Sequence, residues 1–226
     1  MDLSEIQGYV DLYGYAIVRY PITRDLVGLA REFGIPISSR RNRPLVDRLV
    51  PIPADQARPR SMSAHYGQGA FPYHTDGANF SCPPRYILLR AVLATARDRP
   101  TLMVDSNKWC LSEEDRSRLQ QDVWYVNGGR GRFLTSILFH SDQTNGSYLR
   151  YDPCCMWPAH ARFTKSARIM QAHCNSHTRR VLWEPGRALI IDNWRVLHAR
   201  PTGPDNSSER RVLERVFVHS GRVNPR

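Results

Sequence analysis

Short apolar runs separated by turn-forming residues dominate the middle and the C-terminal part of the chain. They favour β-strands, because each run is strand-sized and Gly, Pro, Asn or Asp separates most of them. A further strand-like run covers 14–18, close to the N-terminus. The remaining predicted strands are 85–92, 101–105, 123–126, 133–139, 148–151, 188–192 and 211–219.

Helix signals occur in only three places. The first predicted helix begins at the N-cap Thr23 and ends at Gly34, which precedes a proline. The second covers 112–121, where Ser112 starts a capping-box pattern, and the third covers 166–182. Because these helices do not alternate with the strands, a doubly wound parallel sheet is excluded. The pattern predicts a mainly β fold with flanking helices, either a sandwich or a jelly roll.

A single domain spanning 1–226 is predicted, since no repeat, low-complexity tract or linker interrupts the chain. The stretch 38–60 is rich in Arg, Pro and Asp, and we expect a long excursion there that serves as a lid. The first residues lack the pattern of a signal peptide, and no apolar run is long enough for a membrane span. The five cysteines lack paired-thiol spacing, so reduced thiols in a cytoplasmic protein are expected.

The chain carries 32 basic and 21 acidic residues, a net charge of +11, which would suit an acidic partner. Only Lys108 and Lys165 are lysines, and the arginines are scattered, so a compositional bias explains the charge better than a nucleic-acid surface does. An acidic carrier protein stays open as a partner, and so does the oligomeric state, a dimer included. A basic binding module without catalysis is the alternative from another functional class.

The most informative motif is His74-Thr75-Asp76. In an extended segment, residues two apart point to the same side, so an imidazole and a carboxylate are presented together. A second histidine, His198, follows the buried-looking strand 188–192. Two histidines and one carboxylate are the ligand set of non-haem iron(II) oxygenases, which leaves open positions for other ligands. The alternative is a loop histidine that is hydrogen-bonded to Asp76.

The last predicted strand carries two arginines on one face. Period two along 211–218 places Arg211 and Arg215 on the same side of the strand. Leu213 and Phe217 share that side, whereas valines interrupted by one glutamate form the other. A buried guanidinium is costly unless it meets an anion, and its fork suits a carboxylate. The pattern therefore indicates an anion-binding face, unless both arginines lie in solvent on an edge strand.

Taken together, these residues resemble the taurine dioxygenase and clavaminate synthase-like iron(II)/2-oxoglutarate oxygenases. The resemblance covers most of the chain, and its specific parts are 71–78, 185–198 and 210–218, in that order. It implies a double-stranded β-helix, also called a jelly roll, in agreement with the strand-rich pattern. It also implies that the metal ligands are His74, Asp76 and His198.

The resemblance further implies an enzyme that uses iron(II), 2-oxoglutarate and dioxygen, and that releases succinate and carbon dioxide. Thr101 and Arg211 match the residues that hold the far carboxylate of 2-oxoglutarate, and Arg215 matches a further contact to cosubstrate or substrate. The expected reaction is oxidation, above all hydroxylation, of an aliphatic C–H bond in a small polar or anionic metabolite. Halogenating relatives lack the carboxylate ligand, so the presence of Asp76 argues against halogenation.

Substrate contacts are the least determined part of the prediction. A substrate tethered to a carrier protein and a nucleotide substrate are both retained as alternatives. A guanidinium would suit a carboxylate or a phosphate of the substrate. The candidate contacts are Asn79, Arg215, Arg150 and Ser63, with His65 and Asp152 as further candidates.

A rival metal site is conceivable on the third predicted helix. His173 and His177 are four residues apart there, a spacing that can bind zinc on one helical face. The glutamate of helical metalloproteases is missing, because Cys174 follows His173. We therefore expect a solvated helix face at these histidines.

Overall fold

The computed structural model describes residues 2–59, 61–95, 98–128, 131–141, 146–174, 176–203 and 211–221. The helices in this part of the chain are α1 (Leu3–Tyr13), α2 (Leu26–Arg31), α3 (Met62–Tyr66), α4 (Glu113–Gln121) and α5 (Thr164–Cys174). The strands are β1 (Tyr15–Arg19), β2 (Ile35–Ile37), β3 (Val46–Leu49), β4 (Phe71–His74), β5 (Tyr86–Leu93), β6 (Thr101–Asp105), β7 (Trp124–Gly128), β8 (Gly131–Thr135), β9 (Leu138–Ser141), β10 (Gly146–Leu149), β11 (Met156–Pro158), β12 (Arg179–Val181), β13 (Arg187–Asp192), β14 (Val196–Arg200) and β15 (Val212–His219).

Two antiparallel sheets form the body of the protein. The larger sheet has the order β1-β13-β5-β15-β2, and β3 also pairs with β15. The smaller sheet has the order β12-β6-β14-β4. Two accessory sheets, β11-β7-β8 and β10-β9, belong to the part of the chain that includes α4 and α5. This architecture confirms the predicted mainly β fold, a double-stranded β-helix with flanking helices.

Alternation along the strands of the larger sheet divides its side chains between two cores. Leu89 and Leu189 belong to an inner core, which also contains Met103 and Val181 of the smaller sheet. Their neighbours on the opposite face join a second core with residues of α1 and α2, for example Ile6. Period two in β5, β13 and β15 therefore explains both how the sheets pack and where the helices dock.

The glutamate that interrupts the valine face of β15 has a partner. Glu214 lies opposite Arg90 of β5, and the Arg90 Nε donates to the carboxylate over 2.9 Å. One terminal nitrogen of Arg90 also donates to Glu214, and the other donates to the carbonyl oxygens of Pro21 and Arg24, at the entry to α2. A charged pair thus replaces apolar packing where the chain between β1 and α2 crosses the sheet.

Several helix predictions need correction. Helix α1 was not predicted, although a capping box between Asp2 and Glu5 begins it. The N-cap of α2 is Asp25 and not Thr23, because the Asp25 carboxylate accepts from the backbone N–H of Val27. No helix in the described part of the chain is both long and apolar enough to cross a membrane.

Two further segments differ from the prediction in the same way. The predicted third helix ends at Cys174, and the chain then enters strand β12 instead of continuing to Leu182. The predicted strand 133–139 is two strands, β8 and β9, separated by a short break. In both cases strand pairing overrides the local pattern: β12 pairs with the distant strand β6, and β9 pairs with the next strand, β10. Helix α4, in contrast, begins after its predicted N-cap Ser112.

The stretch 38–60 is not one uninterrupted excursion. Its residues Val46–Leu49 form β3, which pairs with β15 in the larger sheet. A loop at 38–45 precedes β3, and a 3-10 turn at Ala54–Gln56 follows it. Residue 60, the last of the predicted lid, lies outside the described residues. A lid role can therefore concern only the two loops, and it stays a prediction.

Replacing Glu214 by Gln should lower the free energy of unfolding by about 2 kcal/mol, because the buried Arg90 guanidinium would lose its counter-charge. The matched control is Glu114→Gln, since Glu114 forms an exposed pair with Arg118 and its loss should change stability little. Urea unfolding of both variants measures the difference. Equal stability of the two variants would contradict the structural role of the Arg90–Glu214 pair.

Candidate metal centre

Two strands of the smaller sheet bring the predicted metal ligands together. His74 is the last residue of β4, and its backbone lies directly opposite His198 of β14. Asp76 follows two residues later, and its carboxylate lies 3.7 Å from the His198 Nε2. One ligand atom from each of the three side chains lies within 4.8 Å of the others. These residues form the one such metal-ligand group in the described part of the chain.

The hydrogen bond of His74 determines which of its ring nitrogens is available. Its Nδ1 lies 2.8 Å from the carbonyl oxygen of Pro72, which can only accept a hydrogen bond. The Nδ1 therefore carries the proton, and the Nε2 keeps a free lone pair. Such a bond from the second ring nitrogen orients the imidazole of a metal ligand. The two imidazoles are adjacent, with ring centroids 4.4 Å apart.

A buried asparagine holds the backbone of Asp76. The Asn193 side chain accepts from the Asp76 backbone N–H over 2.8 Å and donates to the Asp76 carbonyl oxygen over 2.9 Å. The same amide also donates to the carbonyl oxygen of Pro84. Asn193 is fully buried in the turn between β13 and β14, so the turn that leads to His198 also positions Asp76.

The residue between the ligands His74 and Asp76 is fixed as well. Thr75 is fully buried; its backbone N–H donates to the Tyr151 carbonyl oxygen over 2.7 Å. Its hydroxyl accepts from the Tyr151 backbone N–H over 3.0 Å. Thr75 therefore points away from the ligands and anchors the motif to the accessory part of the fold, as alternation in an extended segment requires.

Arg215 of β15 connects the metal-ligand group to β3. One terminal nitrogen of its guanidinium lies 3.0 Å from each carboxylate oxygen of Asp76. The Nε and the other terminal nitrogen donate to Asp47, at 3.3 and 2.9 Å. Asp47 lies opposite Arg215 in the β3–β15 register, so both side chains share the inner face of the sheet. Every donor nitrogen of Arg215 thus has a carboxylate partner.

Charges and burial set the protonation of the metal-ligand group. Burial raises the pKa of Asp76, but Arg215 and the two histidines outweigh it and hold that pKa below its ordinary value. Burial and the neighbouring His74 lower the pKa of His198 to about 3. At neutral pH the group is therefore a carboxylate beside a neutral imidazole, which is the state that metal binding requires.

The two residues that matched the 2-oxoglutarate contacts lie close together. The Arg211 guanidinium donates to the carbonyl oxygen of Arg99 over 2.6 Å, which places it beside the start of β6, where Thr101 lies. The Thr101 hydroxyl accepts from the indole N–H of Trp183 over 3.0 Å. Because the Thr101 oxygen accepts this bond, its hydroxyl hydrogen remains able to donate, and a carboxylate is a suitable acceptor. Both Arg211 and Thr101 are buried.

Arg150 has a structural role that the sequence did not show. It is buried, and its terminal nitrogens donate to the carbonyl oxygens of Ala78, Phe80 and Ser81. The guanidinium is thereby committed to the loop after the metal-ligand motif, which corrects the expectation that Arg150 contacts substrate.

The other substrate candidates remain predictions. Asn79 is half-buried three residues after Asp76, and Ser63 is half-buried on α3. His65 is exposed on the same short helix. Asp152 caps the turn after β10, where its carboxylate accepts from the Cys154 backbone N–H. None of these four side chains forms a hydrogen bond with His74, Asp76 or His198.

The rival zinc site is not formed. His173 lies near the end of α5, where its ring packs against Trp109. His177 lies beyond the end of that helix and has a positive φ of 51°. The two imidazoles therefore do not share a helical face. Neither histidine belongs to the one metal-ligand group found among the described residues.

Two functional contacts were missed in the sequence. Asn193 lies within the motif 185–198 but received no role, and its only signal was a polar residue directly after an apolar strand. Asp47 lies in the stretch interpreted as a lid, so its place opposite Arg215 had no local signal. Both act across more than a hundred residues of sequence, 117 for Asn193 to Asp76 and 168 for Asp47 to Arg215.

Comparison with known families agrees with this geometry. The model of the taurine catabolism dioxygenase TauD, TfdA family matches residues 2–217. The chain belongs to the TauD/TfdA family. Clavaminate synthase 2 from Streptomyces clavuligerus is 27% identical to this family member over an alignment of 180 residues, and the match covers 72% of this chain and 55% of the relative. The chain thus spans about half the length of that curated relative.

Solved structures share the fold of this TauD/TfdA member. One is asparagine oxygenase in complex with Fe(II), 2S,3S-3-hydroxyasparagine and succinate, with a TM-score of 0.76 and 20% identity. The similarity covers 96% of this chain and 78% of the other. A second is the non-haem iron oxygenase OrfP in complex with Fe and alpha-ketoglutaric acid, with a TM-score of 0.73, 20% identity, and coverage of 97% and 81%.

Replacing Asn193 by Ala should weaken metal binding about 10- to 100-fold, because Asp76 would lose the contacts that hold its backbone. Asn107→Ala is a matched control, since Asn107 is exposed on the 3-10 turn after β6. Anaerobic titration with iron(II) measures both affinities, and circular dichroism confirms that the variants fold. Unchanged affinity in a folded Asn193→Ala variant would refute the positioning role.

Proposed function

We propose that the protein is an iron(II)- and 2-oxoglutarate-dependent dioxygenase that hydroxylates an aliphatic carbon of a small polar or anionic metabolite. The observation that carries this proposal is the convergence of His74, Asp76 and His198, whose ligand atoms lie within 4.8 Å of one another. Three ligands on one side of an ion leave positions open for a bidentate cosubstrate and dioxygen. A structural zinc site would require a fourth protein ligand, and the described residues offer none at this group.

The residues fit iron(II) in their chemistry as well as their number. Imidazole nitrogens and a carboxylate oxygen suit this ion, and the Pro72 carbonyl keeps the His74 Nε2 free to bind it. When bound, iron(II) and 2-oxoglutarate supply the oxidising chemistry with dioxygen, and 2-oxoglutarate leaves as succinate and carbon dioxide. Asp76 occupies the position that halogenating relatives leave vacant, which favours hydroxylation or desaturation.

The protein's own part is to position the reactants and to exclude water. We infer that Arg211 and Thr101 bind the far carboxylate of 2-oxoglutarate, the first through its guanidinium and the second through its hydroxyl. Trp183, which donates to Thr101, belongs to the apolar inner core between the sheets, as do Met103 and Phe217. Low polarity around the site strengthens each charge interaction and keeps reactive species from water.

The named ligands of the relatives support a small-molecule substrate. The asparagine oxygenase structure contains a hydroxylated amino acid with succinate, and the OrfP structure contains Fe with alpha-ketoglutaric acid. A cytoplasmic location fits the five cysteines, all of which are free thiols. A substrate tethered to a carrier protein is the second candidate, and the net charge of +11 favours it, because such carriers are acidic.

The variants His74→Ala and Asp76→Ala should abolish iron-dependent formation of succinate, since each removes one of three metal ligands. His173→Ala is the matched histidine control, because its ring lies against Trp109, outside the metal-ligand group. Succinate released from 2-oxoglutarate with and without iron(II) is the measurement. Turnover near the wild-type rate in both ligand variants would refute the proposed function.

Replacing Arg211 by Met should raise the dissociation constant of 2-oxoglutarate at least tenfold, because a charge-assisted contact to its far carboxylate would be lost. The anaerobic absorption band of the iron(II)–2-oxoglutarate complex in the visible region measures this constant. Iron(II) affinity serves as the control and should stay close to wild type. An unchanged constant for 2-oxoglutarate would remove Arg211 from the cosubstrate site.

A further inference from the structure

Strand β3 is held at the edge of the larger sheet by few apolar contacts. It has four residues, none of them fully buried, and among the described strands it pairs with β15 alone. Val46 packs against the outer core and Leu49 against the inner core, each of them only partly buried. Besides the backbone pairing, the contact of Asp47 to Arg215 is therefore important for keeping β3 docked.

Arg215 divides its donors unequally between two carboxylates. Its Nε and one terminal nitrogen donate to the same Asp47 oxygen, at 3.3 and 2.9 Å. The other terminal nitrogen alone faces Asp76, at 3.0 Å from each carboxylate oxygen. Arginine–carboxylate pairs are frequently bidentate, with two nitrogens on two oxygens. Asp47 therefore restricts Arg215 to a single donor nitrogen toward Asp76.

The second oxygen of Asp47 is fixed as well. The Ser39 hydroxyl donates to it over 2.8 Å, while Arg215 binds the first oxygen. Ser39 lies in the loop before β3, so the loop and the sheet hold this carboxylate from two sides. The strand register adds a third constraint, because Asp47 lies directly opposite Arg215. The orientation of Asp47 thus depends on the docked position of β3.

The balance of charge beside the metal-ligand group depends on the same strand. Two carboxylates, Asp47 and Asp76, surround one guanidinium, so one negative charge is in excess. If β3 undocks and takes Asp47 with it, one carboxylate remains against one guanidinium, and the excess disappears. The lost charge and the freed Arg215 donors act in the same direction, since both disfavour a cation at Asp76.

We propose that Asp47 couples the docking of β3 to metal binding at Asp76, acting through Arg215. This inference rests on the proposed function, which places iron(II) at Asp76. With β3 docked, Asp47 occupies two nitrogens of Arg215, and the Asp76 carboxylate stays available to the ion. With β3 undocked, Arg215 turns a second nitrogen to Asp76 and competes with the ion. Asp47 is a positioning residue, because it acts on the metal ligand only through Arg215.

Coupling of this kind acts in both directions. If docking of β3 raises the iron(II) affinity by a given factor, bound iron(II) stabilises the docked strand by the same factor. Metal binding and the closure of this sheet edge therefore reinforce each other. The segment 38–60, which the sequence predicts to be a lid, thus contains a metal-sensitive strand.

The first test measures the iron(II) affinity of the full chain without 2-oxoglutarate. Asp47→Asn keeps the size of the side chain and removes its charge, and we expect iron(II) to bind about tenfold more weakly. Asp55→Asn is the matched control, because Asp55 is exposed on the 3-10 turn after β3 and its loss changes the net charge equally. The control should stay within about twofold of wild type. Anaerobic competition with a coloured iron(II) chelator gives both dissociation constants.

A double-mutant cycle shows whether Asp47 acts through Arg215. The competitor of the metal ion is absent in an Arg215→Met background, so adding Asp47→Asn there should change the iron(II) affinity by less than about twofold. Equal losses from Asp47→Asn in the two backgrounds would overturn the proposal, because Asp47 would then act by its own charge. Wild-type affinity in the single variant Asp47→Asn would overturn it as well.

Hydrogen exchange of the wild-type chain tests the reverse direction and needs no variant to fold. Saturating iron(II) should slow the exchange of the β3 amides by up to about tenfold. Strand β1 is the matched control, since it lies at the opposite edge of the larger sheet and pairs with β13 alone among the described strands. Its exchange should not change. Equal slowing in both strands, or none in β3, would contradict the coupling.

The same samples separate this inference from the proposed function. A wild-type chain that binds iron(II) and shows the coupling, but develops no visible absorption band with 2-oxoglutarate, would refute the proposed function alone. A chain with that absorption band whose iron(II) affinity does not depend on Asp47 would refute the coupling alone. A wild-type chain that binds no iron(II) would refute both.

Discussion

The antiparallel pairing of β14 with β4 is the contact on which the candidate metal centre depends. It places His198 opposite His74, although 123 residues of the chain lie between them. A shift of one residue in this register would turn one imidazole to the other face of the sheet. The turn before β14 adds Asn193, whose side-chain amide bonds to both the backbone N–H and the carbonyl oxygen of Asp76. Register and turn together bring three ligands to one point.

Buried charge is the second constraint on this region. Arg215 lies between Asp47 and Asp76, so one guanidinium pairs with two carboxylates, one on β3 and one in the turn after β4. Such an arrangement costs desolvation and is retained only where the partners are complete. A metal ion at Asp76 would add positive charge beside Arg215, and the contact of Asp47 to the same arginine offsets part of that repulsion. The strand β3, which carries Asp47, is therefore part of the site and not merely part of a covering segment.

The same strand links the inner site to the protein surface. Its preceding loop carries Arg40 and Arg43, while its own Asp47 points to the metal-ligand group. Solved oxygenases share the fold with this chain over most of its length. Loops at the sheet edge can vary without disturbing that core, because few buried contacts depend on them.

The amino-acid sequence by itself indicated the strand-rich fold and the joint presentation of His74 and Asp76, because period-two patterns and the His74-Thr75-Asp76 spacing are local properties of an extended chain. It also indicated that Arg211 and Arg215 share a face. Only the tertiary structure decided the roles of Asn193, Asp47 and Arg150, since their partners lie 117, 168 and about 70 residues away. Hydrogen bonds over such separations depend on sheet register and loop path, and no periodic pattern in the chain records them.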